Sequence, residues 1–100
     1  MTHTRTSDPD FQRLSARPIE ADTRIFVEQF HRFGKIPVLL ELWKWEGIIG
    51  QSATFLSDDV EEWTDKRLIA FVAEAVHTDI APVTVKRLPD YTFINYGFEA

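Results

Sequence analysis

Hydrophobic alternation on both sides of the Glu46-Gly47 pair constrains the fold of this chain more than any other sequence feature. If residues 38–45 and 48–55 pair as an antiparallel hairpin across that dipeptide, one register sorts both strands at once. One face collects the apolar side chains Val38, Leu40, Leu42, Ile49, Ala53 and Phe55. The opposite, mixed face collects Leu39, Glu41, Trp43, Trp45, Ile48, Ser52 and Thr54. This agreement favours a hairpin, although Pro37 before the Leu-rich run and Gly47 after it also fit a short helix.

A helix is predicted ahead of this hairpin, over residues 20–33. Phe26, Phe30 and Phe33 recur at the i, i+4, i+7 spacing of one helical stripe, and Gly34 follows as a stop signal. Acidic residues stand at the start of the segment and basic ones at its end, which is favourable for the helix dipole.

A second helix and a second hairpin are predicted in the C-terminal third. The helix begins with Thr64 or Asp65 as its cap and runs to about His77, and its buried stripe is Leu68, Phe71, Val72, Ala75 and Val76. After Pro82, strands are expected over residues 83–88 and 91–98, joined at Pro89-Asp90. Their core face would hold Val83, Val85, Ile94 and Tyr96.

These elements predict an α+β fold, a two-layer sandwich with two helices on one face of a four-stranded, mainly antiparallel sheet. The element order is α-β-β-α-β-β. Residues 1–18 are rich in Thr, Ser, Asp, Arg and Pro and contain few bulky apolar side chains, chiefly Phe11 and Leu14, so we expect them to form a flexible N-terminal arm. Residues 19–100 then form a single α+β domain.

Composition excludes several classes of function. A chain of 100 residues with 44% apolar side chains can build a core without disulfides, and the absence of cysteine excludes thiol catalysis, iron–sulfur ligation and Cys-based zinc sites. It also favours a reducing compartment, so we expect a cytoplasmic location. The net charge of −5 argues against direct binding to nucleic acid or to an anionic membrane.

Catalytic and metal-binding constellations are sparse. The best candidate is Glu74, His77 and Asp79, where a small hydrolytic enzyme could hold a metal at one helix end, but Glu-x-x-His pairs are common on exposed helices. The chain has three histidines and no Gly-x-Ser-x-Gly nucleophile motif. We therefore predict a non-enzymatic protein without a cofactor or a metal.

All three tryptophans lie between residues 43 and 63, next to an acidic run. Tryptophan is enriched in binding hot spots, although a covering helix would make these side chains ordinary core. The predicted partner-binding residues are Glu41, Trp43, Trp45, Asp58, Asp59, Glu61, Glu62 and Trp63. They suggest a small acidic adaptor or inhibitor of another protein that has a basic surface, such as a nucleic-acid-binding defence or regulatory complex. The alternatives are a structural homo-oligomer and, ranked below it, a small enzyme that uses Glu74, His77 and Asp79.

Overall fold

Five strands and three helices make up the part of the chain that the computed structural model describes, which is residues 8–78, 80 and 83–99. In chain order they are α1 (Pro9–Ser15), β1 (Thr23–Phe33), β2 (Ile36–Trp45), β3 (Ile48–Leu56), α2 (Ser57–Val60), α3 (Asp65–Ala75), β4 (Thr84–Arg87) and β5 (Tyr91–Glu99). The strands form one antiparallel sheet in the order β1-β2-β3-β5-β4. The α+β class is confirmed, but the sheet has a fifth strand that the sequence analysis had assigned to a helix.

The predicted hairpin is confirmed in its register. Val38 pairs with Phe55 at one end of β2 and β3, and Trp45 pairs with Ile48 beside the turn. Both turn residues have positive φ, 46° at Glu46 and 82° at Gly47. Such a turn matches the right-handed twist of the strands, and glycine adopts it without steric cost.

The helix predicted over residues 20–33 is wrong, because Thr23–Phe33 is strand β1, which pairs along β2. A β-bulge between Ile25 and Val27 interrupts the alternation and leaves Phe26 47% exposed. Phe30 and Phe33 contact different core clusters, one on each face of the sheet. The helical spacing of the phenylalanines was therefore accidental, and the bulge concealed the strand period.

The larger core lies on the sheet face that packs against α3, which we call face A. Its fully buried members are Val38, Ala53, Phe55, Val60, Leu68, Val72 and Ile94, with Tyr96 nearly so. Helix α3 is confirmed, and the Thr64 hydroxyl caps it by accepting a hydrogen bond from the Arg67 amide at 3.1 Å. Ile49 was predicted to share this core but is 37% exposed, near the turn end of the hairpin.

The opposite face, which we call face B, packs against α1. Leu14 is fully buried there with Leu39 and Leu56, and the Phe11 ring meets Phe30 edge-on at 5.6 Å between ring centroids. Helix α1 falls within residues 1–18, which were predicted to be a flexible arm. For residues 9–15 the structure replaces that prediction with a helix, and residues 1–7 lie outside the described part. The predicted arrangement with both helices on one face is also wrong, because helices cover both faces.

Candidate binding cleft

A cavity of about 450 Å³ opens on face B beside α1. The segment that links α1 to β1 forms one wall, and side chains of β2, β3 and β5 form the floor. The lining residues are Arg17, Pro18, Ile19, Glu20, Thr23, Ile25, Glu41, Trp43, Trp45, Ser52, Lys86, Leu88, Phe93 and Asn95. The volume and the mixture of aromatic and polar groups are typical of a ligand-binding cleft.

Trp43 and Trp45 stand on the same face of β2 because side chains alternate along a strand. The Trp43 indole Nε1 donates a hydrogen bond to the Ser52 hydroxyl at 2.6 Å, and that hydroxyl donates to Asn95 Oδ1 at 2.5 Å. Asn95 Nδ2 then donates to Thr84 Oγ1 at 3.3 Å. This chain of hydrogen bonds runs across four strands and fixes the orientation of the Trp43 ring.

Gly50 lies beneath the same ring. It pairs with Trp43 across β2 and β3, and a Cβ atom at this position would stand only 2.1 Å from Cζ2 of the indole. The absence of a side chain at Gly50 therefore gives the indole its place on the floor of the cleft.

Replacing Gly50 with alanine is expected to displace the Trp43 indole and break its hydrogen bond to Ser52. The overpacked site should lower the free energy of unfolding by about 1–3 kcal/mol, and the indole N–H signal of Trp43 should move in a nitrogen–proton NMR spectrum. Gly97→Ala is the matched control, because its new Cβ would come no closer than 3.2 Å to Nε2 of Gln51 and 3.4 Å to Cβ and Cδ of the same side chain. An unchanged Trp43 signal in Gly50→Ala would contradict this account.

A buried ionic cluster closes the inner side of the cleft. Arg17 is 4% exposed, and its Nη2 donates to Glu28 Oε2 at 2.6 Å and to Glu41 Oε2 at 2.7 Å. The other Glu41 oxygen accepts from the Thr54 hydroxyl at 2.8 Å. Burial alone would lower the pKa of Arg17, but the hydrogen bonds and charges of Glu41 and Glu28 outweigh it and raise that pKa. The guanidinium thus stays charged and faces two carboxylates.

The structure divides the predicted partner-binding residues among three places. Glu41, Trp43 and Trp45 meet in the cleft. Trp63 belongs to face A, where its ring packs against Phe71 at 5.3 Å and lies 4.1 Å from the Arg67 guanidinium. Asp58, Asp59, Glu61 and Glu62 lie in α2 and in the turn after it, outside the cleft lining.

Asp59 is the half-buried carboxylate of that acidic run that lacks a hydrogen-bond partner for one oxygen. Burial, followed by the charge of Asp10, raises the pKa of its carboxyl group, and its Oδ2 is buried without a hydrogen bond. At Asp59 the acidic run is therefore partly buried rather than fully solvated.

Sequence reasoning missed Arg17, Glu28 and Asn95 as parts of the site. Arg17 was assigned to the flexible arm, and Glu28 to a helix. One signal pointed to a partner such as Arg17, since Glu41 on a largely apolar strand needs a cation when it is buried. The sequence does not show which of the 11 lysine and arginine residues supplies it.

The candidate metal ligands that the sequence offered, Glu74, His77 and Asp79, are described only in part, because Asp79 lies outside the described residues. His77 sits in the turn after α3 with a φ of 61°. His31 stacks on Phe33 at 5.7 Å. Within the described residues, no group of three or more histidine and acidic side chains is arranged to hold a metal ion.

Comparisons with family models, with curated proteins and with solved structures find no match to this chain. In the described part of the chain, no helix has the length and apolar character needed to cross a membrane. The fold and the cleft define the chain as an α+β domain with an aromatic cleft on one sheet face.

Proposed function

We propose that this chain is a non-enzymatic protein-interaction module that receives a segment of a partner protein in the cleft on face B. The observation that carries the proposal is that Trp43 and Trp45 line an open cavity and are only partly buried. Tryptophan side chains that keep a large surface available for contact are the most frequent binding hot spots.

The cleft is also preorganised for binding. Gly50 and the Ser52 hydroxyl hold the Trp43 ring in place, and the ionic cluster of Arg17 fixes the inner wall. A partner that binds there does not have to order these groups, so more of the contact energy is expressed as affinity.

This proposal changes the site that the sequence suggested. It keeps Glu41, Trp43 and Trp45 and adds Phe93, which lines the same cleft. It does not use Trp63 or the acidic run, which lie outside the lining of the cleft. An adaptor or inhibitor that acts through the cleft stays the proposed role, and its cytoplasmic location stays a prediction from the absence of cysteine.

Replacing both Trp43 and Trp45 with leucine is expected to weaken partner binding by at least about tenfold, because each ring contributes a hot-spot contact. The measurement is quantitative capture from lysate of the native host, with a photo-crosslinking amino acid at Leu88 on the cleft lining to identify the contacting partner. Trp63→Phe is the matched control, since it changes a tryptophan on face A. Equal capture by the Trp43/Trp45 double variant and the control would refute the cleft as the binding site.

A homo-oligomer is the second candidate, and one observation favours it. β1 is an edge strand of 11 residues, and it exposes Phe26 by 47% and Val27 by 42%. Long edge strands with exposed apolar side chains can pair with a second copy. Light scattering coupled to size-exclusion chromatography distinguishes the two proposals, because a monomer at high concentration removes this one.

A further inference from the structure

The two cleft tryptophans are flanked by carboxylates at both ends. Glu41 lies two residues before Trp43 on the same face of β2 and lines the cavity. At the other end, Thr23 pairs with Trp45, and the Thr23 amide donates a hydrogen bond to the Glu20 carbonyl at 3.2 Å. This contact places Glu20 beside the Trp45 end of the cleft, where its exposed side chain also lines the cavity.

The charges around the cleft are unequal. Arg17 is shared between Glu28 and Glu41, which leaves that buried cluster with one negative charge in excess. Glu20 forms no ion pair with any residue that the structure describes. The remaining cation of the lining, Lys86, lies on β4, three strands away from the tryptophans on β2. Negative charge therefore predominates at the tryptophan end of the cleft.

Aromatic faces beside carboxylates favour one kind of ligand. The face of an indole ring attracts a cation, and the attraction grows when the cation is shielded from water. An anionic group entering between Trp43 and Trp45 would be repelled by Glu20 and Glu41. A neutral group would gain the contact area of the rings but nothing from the charges.

We infer that the cleft recognises a basic side chain, arginine or lysine, that the partner inserts against Trp43 and Trp45. This inference rests on the proposed function and specifies the chemistry of the partner. Arginine suits the site best, because its flat guanidinium stacks on indole and donates hydrogen bonds to carboxylates at the same time. The net charge of −5 on the whole chain would also attract a basic partner over longer range.

The test titrates the nitrogen-15-labelled protein with acetylated, amidated Gly-Gly-X-Gly-Gly peptides in which X is arginine, citrulline or glutamate. The chain has three tryptophans and therefore gives three indole N–H signals. We expect the arginine peptide to shift the signals of Trp43 and Trp45, with Trp63 on face A as an unmoved internal reference. Citrulline has the shape of arginine without its charge, and it should bind about tenfold more weakly.

Glu20→Gln isolates the charge effect without touching the Arg17 cluster. It should weaken binding of the arginine peptide severalfold and leave the citrulline peptide unchanged, whereas Glu74→Gln on α3 should change neither. Absent shifts with the arginine peptide, equal binding of citrulline, or preferred binding of glutamate would each overturn the inference. The proposed function would survive those results if the Trp43/Trp45 variant still lost its partner, and it fails separately if capture is unaffected.

Discussion

Replacing Arg17 with methionine is expected to lower the free energy of unfolding by about 3–5 kcal/mol, because it leaves the Glu41 carboxylate buried without a cation. Glu41 is 7% exposed and would retain only the Thr54 hydroxyl as a partner. Methionine fills most of the volume of the arginine stem, so the decrease in the free energy of unfolding comes more from the missing charge than from a cavity. Urea unfolding followed by circular dichroism gives the free-energy difference.

Arg32→Met is the matched control for this variant. Arg32 also bridges two carboxylates, Asp8 at 2.8 Å and Asp10 at 3.0 Å, but its side chain is 38% exposed. Water therefore solvates the separated charges, and we expect a loss of about 1 kcal/mol or less. Adding Glu41→Met to the Arg17→Met variant should recover most of the stability, since it removes the orphaned charge. Similar losses for Arg17→Met and Arg32→Met would show that burial does not govern the cluster.

The parts of the fold that the sequence predicts are those whose signals are local. In the β2–β3 hairpin, the short turn fixes one register, and that register must place the apolar side chains of both strands on the same face. The pattern of one strand therefore tests the assignment of the other. Helix α3 has its cap at Thr64 and its apolar stripe within 13 residues of one another. β1 was not predicted as a strand, because the bulge beside Phe26 breaks the alternation that identifies a strand.

The site was predicted only where its residues share a strand. Alternation along β2 places Glu41, Trp43 and Trp45 on one face, and the structure confirms that grouping. Trp63 was included in the predicted site because it is near Trp43 and Trp45 in sequence. It packs instead against the core on face A, on the other side of the sheet from the cleft. Arg17 is 24 residues from Glu41, and no pattern in a single sequence reports a contact of that separation.

Leu14 on α1 is the second position at which we expect a substitution to lower the free energy of unfolding strongly. A helix of seven residues is not stable alone, so its formation depends on burying Leu14 against Leu39 and Leu56. Leu14→Ala is expected to lower the free energy of unfolding by about 2–5 kcal/mol. Urea unfolding measures it against Arg13→Ala, an exposed neighbour on the same helix.

Leu14 also connects α1 to the cleft. The helix ends just before Arg17, whose Nη1 donates to the Ser15 carbonyl at 3.2 Å, so a loosened α1 should release the inner wall of the cleft. Leu14→Ala should therefore also speed hydrogen exchange of the β2 amides at Glu41 and Trp43. If residues 8–18 behaved as a flexible arm, Leu14→Ala would be as neutral as Arg13→Ala and exchange in β2 would not change. Stability and exchange that respond together would instead make α1 the element that holds the Arg17 cluster in place.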